Sequence, residues 1–305
     1  MYRVRFSNFW PNFNKNNNIF LYLLKHYGNF NYEVIIDTKS FVDLEIRSVF
    51  YHKNAHSRLK EKILAVSSAN HRREYYTKYL LGYSEKLSDN AAKTIWYTGE
   101  NRRPPVDLYT ATLSFDPSDD INRNIFLPYW LLRMKWSEPN PEYEMNPEIE
   151  KLLIGRKHTV CERKAVSFSN MLEPNRLRVV NAVERCMPVL KYGKVNGNAV
   201  ESKFNAGTGY ALQICTENDI YPDYVTEKLQ EAWLMRNVPV WSGLDKSGFF
   251  NPRAIIDVTG LRSEEIIEKI SRMSMEELYY IQSQPILVKI PDLGLIANRF
   301  LNYIS

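Results

Sequence analysis

The run Tyr221-Pro222-Asp223-Tyr224-Val225-Thr226-Glu227-Lys228-Leu229, followed by Val238-Pro239-Val240-Trp241-Ser242-Gly243, sets a carboxylate beside an ammonium shortly before an apolar strand. The pattern predicts a helix from Tyr224 with Asp223 as N-cap, since Pro222 stops any earlier helix. Val225, Leu229, Ala232 and Trp233 recur at helical spacing and form one buried stripe that leaves Glu227, Lys228 and Glu231 outside it. A helix start carries unpaired N–H groups and partial positive charge, so a lysine placed there suits an anion such as phosphate. On local pattern alone a plainer account is stronger: Glu227 complements the helix dipole and Lys228 pairs with Glu231 for about 0.2–0.5 kcal/mol. A second carboxylate, Glu100, follows Ile95-Trp96-Tyr97-Thr98 and a glycine that permits a sharp exit, and open α/β sheets place ligands at such strand ends. By spacing alone Glu100 is a solvated carboxylate paired with Arg102 or Arg103.

The elements that must position these groups alternate along the chain. Strands are predicted at 4–9, 32–37, 41–50, 93–98, 111–115 and 124–127, with a helix at 16–26 and a polar, helix-favouring stretch at 52–86 whose core positions are Leu59, Ile63, Leu64, Tyr75, Tyr79 and Leu80. The stretch 137–147, with Pro139, Pro141 and Pro147, breaks the pattern and reads as a linker. Beyond it, strands are expected at 159–168, 210–215, 238–241 and 254–258, with helices at 174–186, from 224, and within 263–284. Such alternation signals parallel sheets flanked by helices. The expected domains are therefore 1–147 and 148–290, followed by a C-terminal helix over 291–305.

Composition narrows the class. The 305 residues, 44% hydrophobic and 25% charged, suffice for two ordinary globular domains. A net charge of +5, from 40 basic and 35 acidic residues that are interleaved, argues against a nucleic-acid partner and leaves a small anionic nucleotide compatible. Three widely spaced cysteines, Cys161, Cys186 and Cys215, read as reduced thiols. With no membrane-length apolar run, no signal-peptide pattern and no glycosylation sequon, a cytoplasmic location is expected, with a peripheral contact at the inner face of the membrane left open. No metal is demanded: Asp43-Leu44-Glu45 sits inside a predicted strand and reads as structural, His52 and His56 as a surface pair, and His71-Arg72-Arg73 as a solvated face.

The motif around Glu227-Lys228, with Glu217-Asn218 several residues before it, resembles the most distinctive block of the alpha-1,3/4-fucosyltransferases of glycosyltransferase family ten, the bacterial members in particular. Tyr97-Thr98-Gly99-Glu100-Asn101, Phe115-Asp116 and Leu127-Pro128 are similar to the family's acceptor-side signature, and Asn251-Pro252 to the end of its donor-side block. Arg176, before an amphipathic helix and Pro188-Val189, resembles its phosphate-binding arginine, with Arg178 as the alternative. Three separated motifs in order are far more specific than one. Asp219 departs from the family, which usually has Ser there.

The resemblance implies a GT-B fold, two Rossmann-like domains facing a cleft, with the last helix returning to the first domain. It implies an inverting transferase that needs no cofactor and moves L-fucose from GDP-fucose, as donor substrate, to a GlcNAc-containing oligosaccharide acceptor. Glu100 would be the catalytic base. Arg176 and Lys228 would hold the diphosphate, Glu227 the ribose hydroxyls or the developing sugar cation, and Asn218 and Tyr224 would border the nucleotide. A membrane or lipid-linked glycan contact is compatible with this reading. Eukaryotic members carry a membrane anchor, so its absence here points to a bacterial-type enzyme or a shortened chain. The rivals are a GT-B transferase using another GDP-sugar and a catalytically silent glycan- or nucleotide-binding protein.

Overall fold

The alternating pattern folds into two all-parallel sheets, each in its own unit of the computed structural model, which describes residues 1–10, 12–50, 90–101, 109–137, 143–171 and 173–305. One unit comprises Met1–Pro128, Trp136–Glu138 and Asp292–Ser305; the other comprises Tyr129–Lys135 and Pro139–Pro291. The division differs from a single break at Pro147. Tyr129–Lys135 enters the second unit because Trp130 packs edge-on against Phe249 and Phe250, with ring centroids 6.1 and 5.6 Å apart. Its carbonyl also accepts from Gln230 Nε2 at 3.1 Å. The 52–86 stretch, its core positions, both histidine motifs, Arg102, Arg103, Pro139 and Pro141 lie outside the described residues.

In the first unit β1 (Tyr2–Ser7), β2 (Tyr32–Val34), β3 (Val42–Arg47), β4 (Ala91–Tyr97), β5 (Ala111–Ser114) and β6 (Asn124–Phe126) form a sheet in the order β2-β1-β3-β4-β5-β6. Helix α1 (Ile19–His26) starts where Asn18 accepts a hydrogen bond from the Leu21 amide at 3.1 Å. It buries Ile19, Phe20, Leu23 and Leu24. Glu45 lies on β3, accepting from Ser7 Oγ at 2.5 Å and facing Arg5 at 3.3 Å, and Asp43 accepts from the Arg3 amide at 2.7 Å. The Asp43-Leu44-Glu45 segment is thus the expected structural one.

The second unit stacks β7 (Glu162–Phe168), β8 (Val189–Tyr192), β9 (Tyr210–Thr216), β10 (Val238–Ser242) and β11 (Ile256–Asp257) in the order β11-β10-β9-β7-β8. Helix α2 (Pro174–Glu184) opens on a proline at its first turn, where the missing N–H costs nothing. Its Val179, Val180 and Val183 pack with Leu212, Ile214 and Val240 of the sheet and with Ile266 and Ile270. The unit also contains α3 (Lys203–Gly207), α4 (Lys228–Leu234), α5 (Ser263–Ser271) and α6 (Met275–Ser283). Helix α6 begins with a reciprocal cap, Ser274 Oγ accepting from the Glu277 amide at 3.1 Å while Glu277 accepts from the Ser274 amide at 2.7 Å. The last helix, α7 (Leu293–Ile304), belongs to the first unit, where Arg299 meets Asp120 at 2.5 Å. Among the described residues no helix is long and apolar enough to cross a membrane.

One expected element starts elsewhere. The helix predicted from Tyr224 begins at Lys228, with Glu227 as its N-cap, and has seven residues. Asp223 is no cap: its backbone is left-handed, φ 59°, and its carboxylate accepts from the Ser247 amide at 2.7 Å, tying down the 244–247 loop. Tyr224, Val225 and Thr226 stay outside the helix, where Glu217 captures the Thr226 amide at 3.0 Å and its hydroxyl at 2.8 Å. Any attraction for an anion here therefore comes from side chains rather than from a long helix dipole.

Candidate functional site

A cavity of about 580 Å³ opens in the second unit beside residues that directly follow three parallel strands, Ser169 after β7, Gly193 after β8 and Asn218 just beyond β9. Carboxyl ends of strands are where such sheets take ligands. Gly193 is fixed by two constraints: its φ is +106°, and a Cβ there would fall 2.0 Å from the Ser169 carbonyl oxygen.

Arg176 reaches this cavity from the first turn of α2 and is almost wholly buried, at 6% exposure. Its guanidinium donates to Thr216 Oγ1 at 3.0 Å, Ser169 Oγ at 2.9 Å, the Thr216 carbonyl at 3.1 Å and Asn218 Oδ1 at 2.9 Å. Every one of these acceptors is neutral. Burial draws its pKa below the ordinary arginine value, against the pull of Glu173 and Glu217, and arginine still keeps its charge. Among the described residues no ion pair forms at Arg176, so the cavity holds a fixed cation that an anion can neutralise.

Lys228 supplies the second cation. Its ammonium donates to Glu217 Oε2 and Thr226 Oγ1, both at 2.8 Å. Burial would lower its pKa, but Glu217 and Glu227 outweigh that and raise it. Glu217 itself is 2% exposed and accepts from Lys228 and from both donors of Thr226. It fixes the lysine. Glu227 sits under the opposite balance: burial favours the neutral acid, yet Lys228, Arg133 and Lys203 hold the carboxyl down to about 2. Lys203, on α3, pairs with Glu231 and lies 5.2 Å from the centre of the Phe168 ring. Glu231 is pushed up by burial, with Glu227 adding to the rise. The resulting array can bind a dianion on Arg176 and Lys228 while presenting one permanently ionised carboxylate to hydroxyls or to a developing cation.

Arg176, Asn218, Glu227 and Lys228 are thus brought together on one cavity wall. Arg178 is not: it donates to the Leu261 carbonyl and to Asn175 Oδ1, leaving Arg176 as the arginine at the cavity. Tyr224 also departs from expectation. It is a core residue, 2% exposed, whose ring meets Tyr129 edge-on at 6.3 Å, so its side chain does not border the cavity. Asp219 lies outside the lining, and Asn251 serves as a cap, accepting from the Arg253 amide at 3.0 Å. The alternative pairing of Lys228 with Glu231 is replaced by pairs to Glu217 and Lys203 respectively. Sequence reasoning missed Ser169, Thr216 and Lys203 as site residues and gave Glu217 no role of its own. For Glu217 a signal existed in an acid placed at the end of an apolar strand, whereas Lys203 has no local mark.

Glu100 belongs to the first unit, three residues past β4, and is half-buried. The glycine before it is closely packed: a Cβ at Gly99 would meet Ser48 Oγ at 2.7 Å and the Phe50 ring at 3.0 Å, so both side chains would have to shift.

Residues 155–282 match the family model described as glycosyltransferase family 10 (fucosyltransferase) C-term. Over 231 residues the chain is 26% identical to alpha-(1,3)-fucosyltransferase FucT of Helicobacter pylori, covering 66% of this chain but 48% of that relative, so the match spans about half the relative's length. Crystal structures of an alpha1,3-fucosyltransferase, one without a named ligand and one with GDP-fucose, share its fold with TM-scores of 0.66 each, at 18% and 17% identity. They cover 99% and 100% of this chain and 90% of the solved chains. The two parallel-sheet units are those of the GT-B fold, and residues 155–282 of the second are the part similar to glycosyltransferase family 10.

Proposed function

We propose that the protein is an inverting alpha-1,3/4-fucosyltransferase that takes GDP-fucose as donor and a GlcNAc-containing glycan of the LacNAc type as acceptor. The observation that carries this reading is Arg176, a buried guanidinium held by four neutral acceptors in a cavity it shares with Lys228, Glu227 and Asn218. Such a cation is matched to a diphosphate, and the family and the named relatives supply the identity of the sugar nucleotide. In a single displacement the acceptor oxygen bonds to the anomeric carbon as the bond from that carbon to the diphosphate oxygen breaks. The electron pair leaves on GDP, steadied by the Arg176 fork and the Lys228 point charge. The acceptor proton passes to Glu100, for which the matching family motif is the support. A diphosphate leaves without protonation, so no general acid is required, unlike the paired carboxylates of glycosidases. Glu227, kept ionised, stands ready for the ribose hydroxyls or the positive charge that builds on the sugar ring.

A donor screen that follows GDP release with and without LacNAc tests the proposal. The expected result is acceptor-dependent release from GDP-fucose. Turnover with GDP-mannose alone would overturn the fucosyl assignment, and saturable GDP binding with no turnover on any acceptor would replace it with a silent binding protein.

A further inference from the structure

A second cavity, of about 810 Å³, lies in the same unit, and α3 contributes to the walls of both: Ser202, Phe204 and Asn205 line this one, whereas Lys203 lines the donor cavity. Its charge is unbalanced. Arg156 lies with its guanidinium carbon 3.7 Å from the centre of the Trp233 ring and donates to the Trp233 carbonyl. Arg236 donates to the Lys157 carbonyl at 2.9 Å. Among the described residues neither arginine forms an ion pair. The two carboxylates in the lining are already engaged. Glu148 bridges Lys135 and Lys151 at 3.0 and 2.9 Å. Glu144 accepts from the amides of Lys203 and Phe204 at 2.8 and 3.1 Å, and from the Ser202 hydroxyl. Burial, with Arg236 adding to it, brings the Arg156 pKa down to about 9, as expected of a cation short of counter-charge. The lining also includes the apolar side chains Met145, Pro147, Ile154 and Leu234. The volume falls within the roughly 300–1,000 Å³ usual for small-molecule sites.

We propose that this cavity is a second binding site, for an amphiphilic oxyanion: a phosphate ester or carboxylate held by Arg156 and Arg236, with its apolar body against Met145, Ile154 and Leu234. Guanidinium forks match both oxyanions geometrically, and the apolar wall selects a carrier that a bare inorganic ion lacks. The site is independent of the transferase reading.

Titration calorimetry on the intact protein with octyl phosphate, octanoate, inorganic phosphate and octanol tests it. Saturable binding of octyl phosphate or octanoate is expected, at least tenfold tighter than inorganic phosphate or octanol, and the preferred of the two identifies the headgroup. Arg236→Gln should weaken it at least fivefold. Ile154→Glu, at a side chain 64% exposed, should weaken it at least tenfold without lowering the melting temperature. Lys228→Ala, in the other cavity, should leave it unchanged. Equal affinity for phosphate and octyl phosphate, undiminished binding in both cavity variants, loss of binding in Lys228→Ala, or no saturation at millimolar ligand would each overturn the proposal.

Discussion

Glu217 and Glu100 each follow a central parallel strand, one in each unit, and their surroundings differ sharply. Glu217 comes directly after β9, is 2% exposed, and accepts three hydrogen bonds from two neighbours, so its lone pairs are committed to structure. Glu100 comes three residues after β4, beyond a closely packed glycine, and is half-buried. The hydrogen bonds that Glu217 accepts hold its strand end and its lysine in place. A base must stay within reach of an incoming hydroxyl, as a loop position after a strand permits. Position at a strand end therefore does not by itself assign a role.

Substitutions at the two positions should separate those roles. The largest effect is expected for Glu100→Gln, a loss of about 10²–10⁴-fold in turnover with GDP affinity and melting temperature unchanged; near-normal turnover would remove Glu100 as the base. Glu217→Gln should do the reverse, costing about 2–3 kcal/mol of stability in denaturant titrations because a buried ammonium and hydroxyl lose their acceptor. If it left stability intact and only slowed turnover, the contrast between the two glutamates would collapse. Lys228→Ala should weaken GDP about tenfold, roughly 1.4 kcal/mol, in equilibrium binding; unchanged affinity would place the diphosphate elsewhere. The smallest effect concerns Glu227, whose pKa in the folded protein lies below its unfolded value. Its contribution is present above the ordinary glutamate pKa of about 4.3 and is lost as pH falls through that value toward the folded one, on the order of 1 kcal/mol. Glu227→Gln should flatten that part of the acid-stability curve, and an unchanged slope would show that the three cations do not hold it ionised.

Much of this arrangement was legible in the residues. Apolar runs located β4, β7, β9 and β10, and the stripe of Val225, Leu229, Ala232 and Trp233 is buried as its spacing requires. The helix start was misplaced because the Thr226 amide and hydroxyl are claimed by Glu217, nine residues earlier, an interaction that no local pattern encodes. Strand β8 went unread for a different reason. It is a four-residue edge strand with every residue half-buried, so it has neither an apolar run nor a clear alternation. The site followed the same division: motif residues close in sequence, Glu227 and Lys228, were visible, while Lys203 reaches the cavity only through the tertiary placement of α3.

Gly193 carries a consequence for how the cavity around Arg176 can change. Any side chain there would be driven into the Ser169 backbone, and the left-handed turn resists every other residue in any case. That stretch of wall is closed to variation, and Arg176, threaded through neutral acceptors, is nearly as constrained. Any change in ligand preference, in nature or in a selection experiment, must then proceed through the more permissive neighbours Asn170 and Val200. A randomised library would enrich substitutions there and return the same glycine every time.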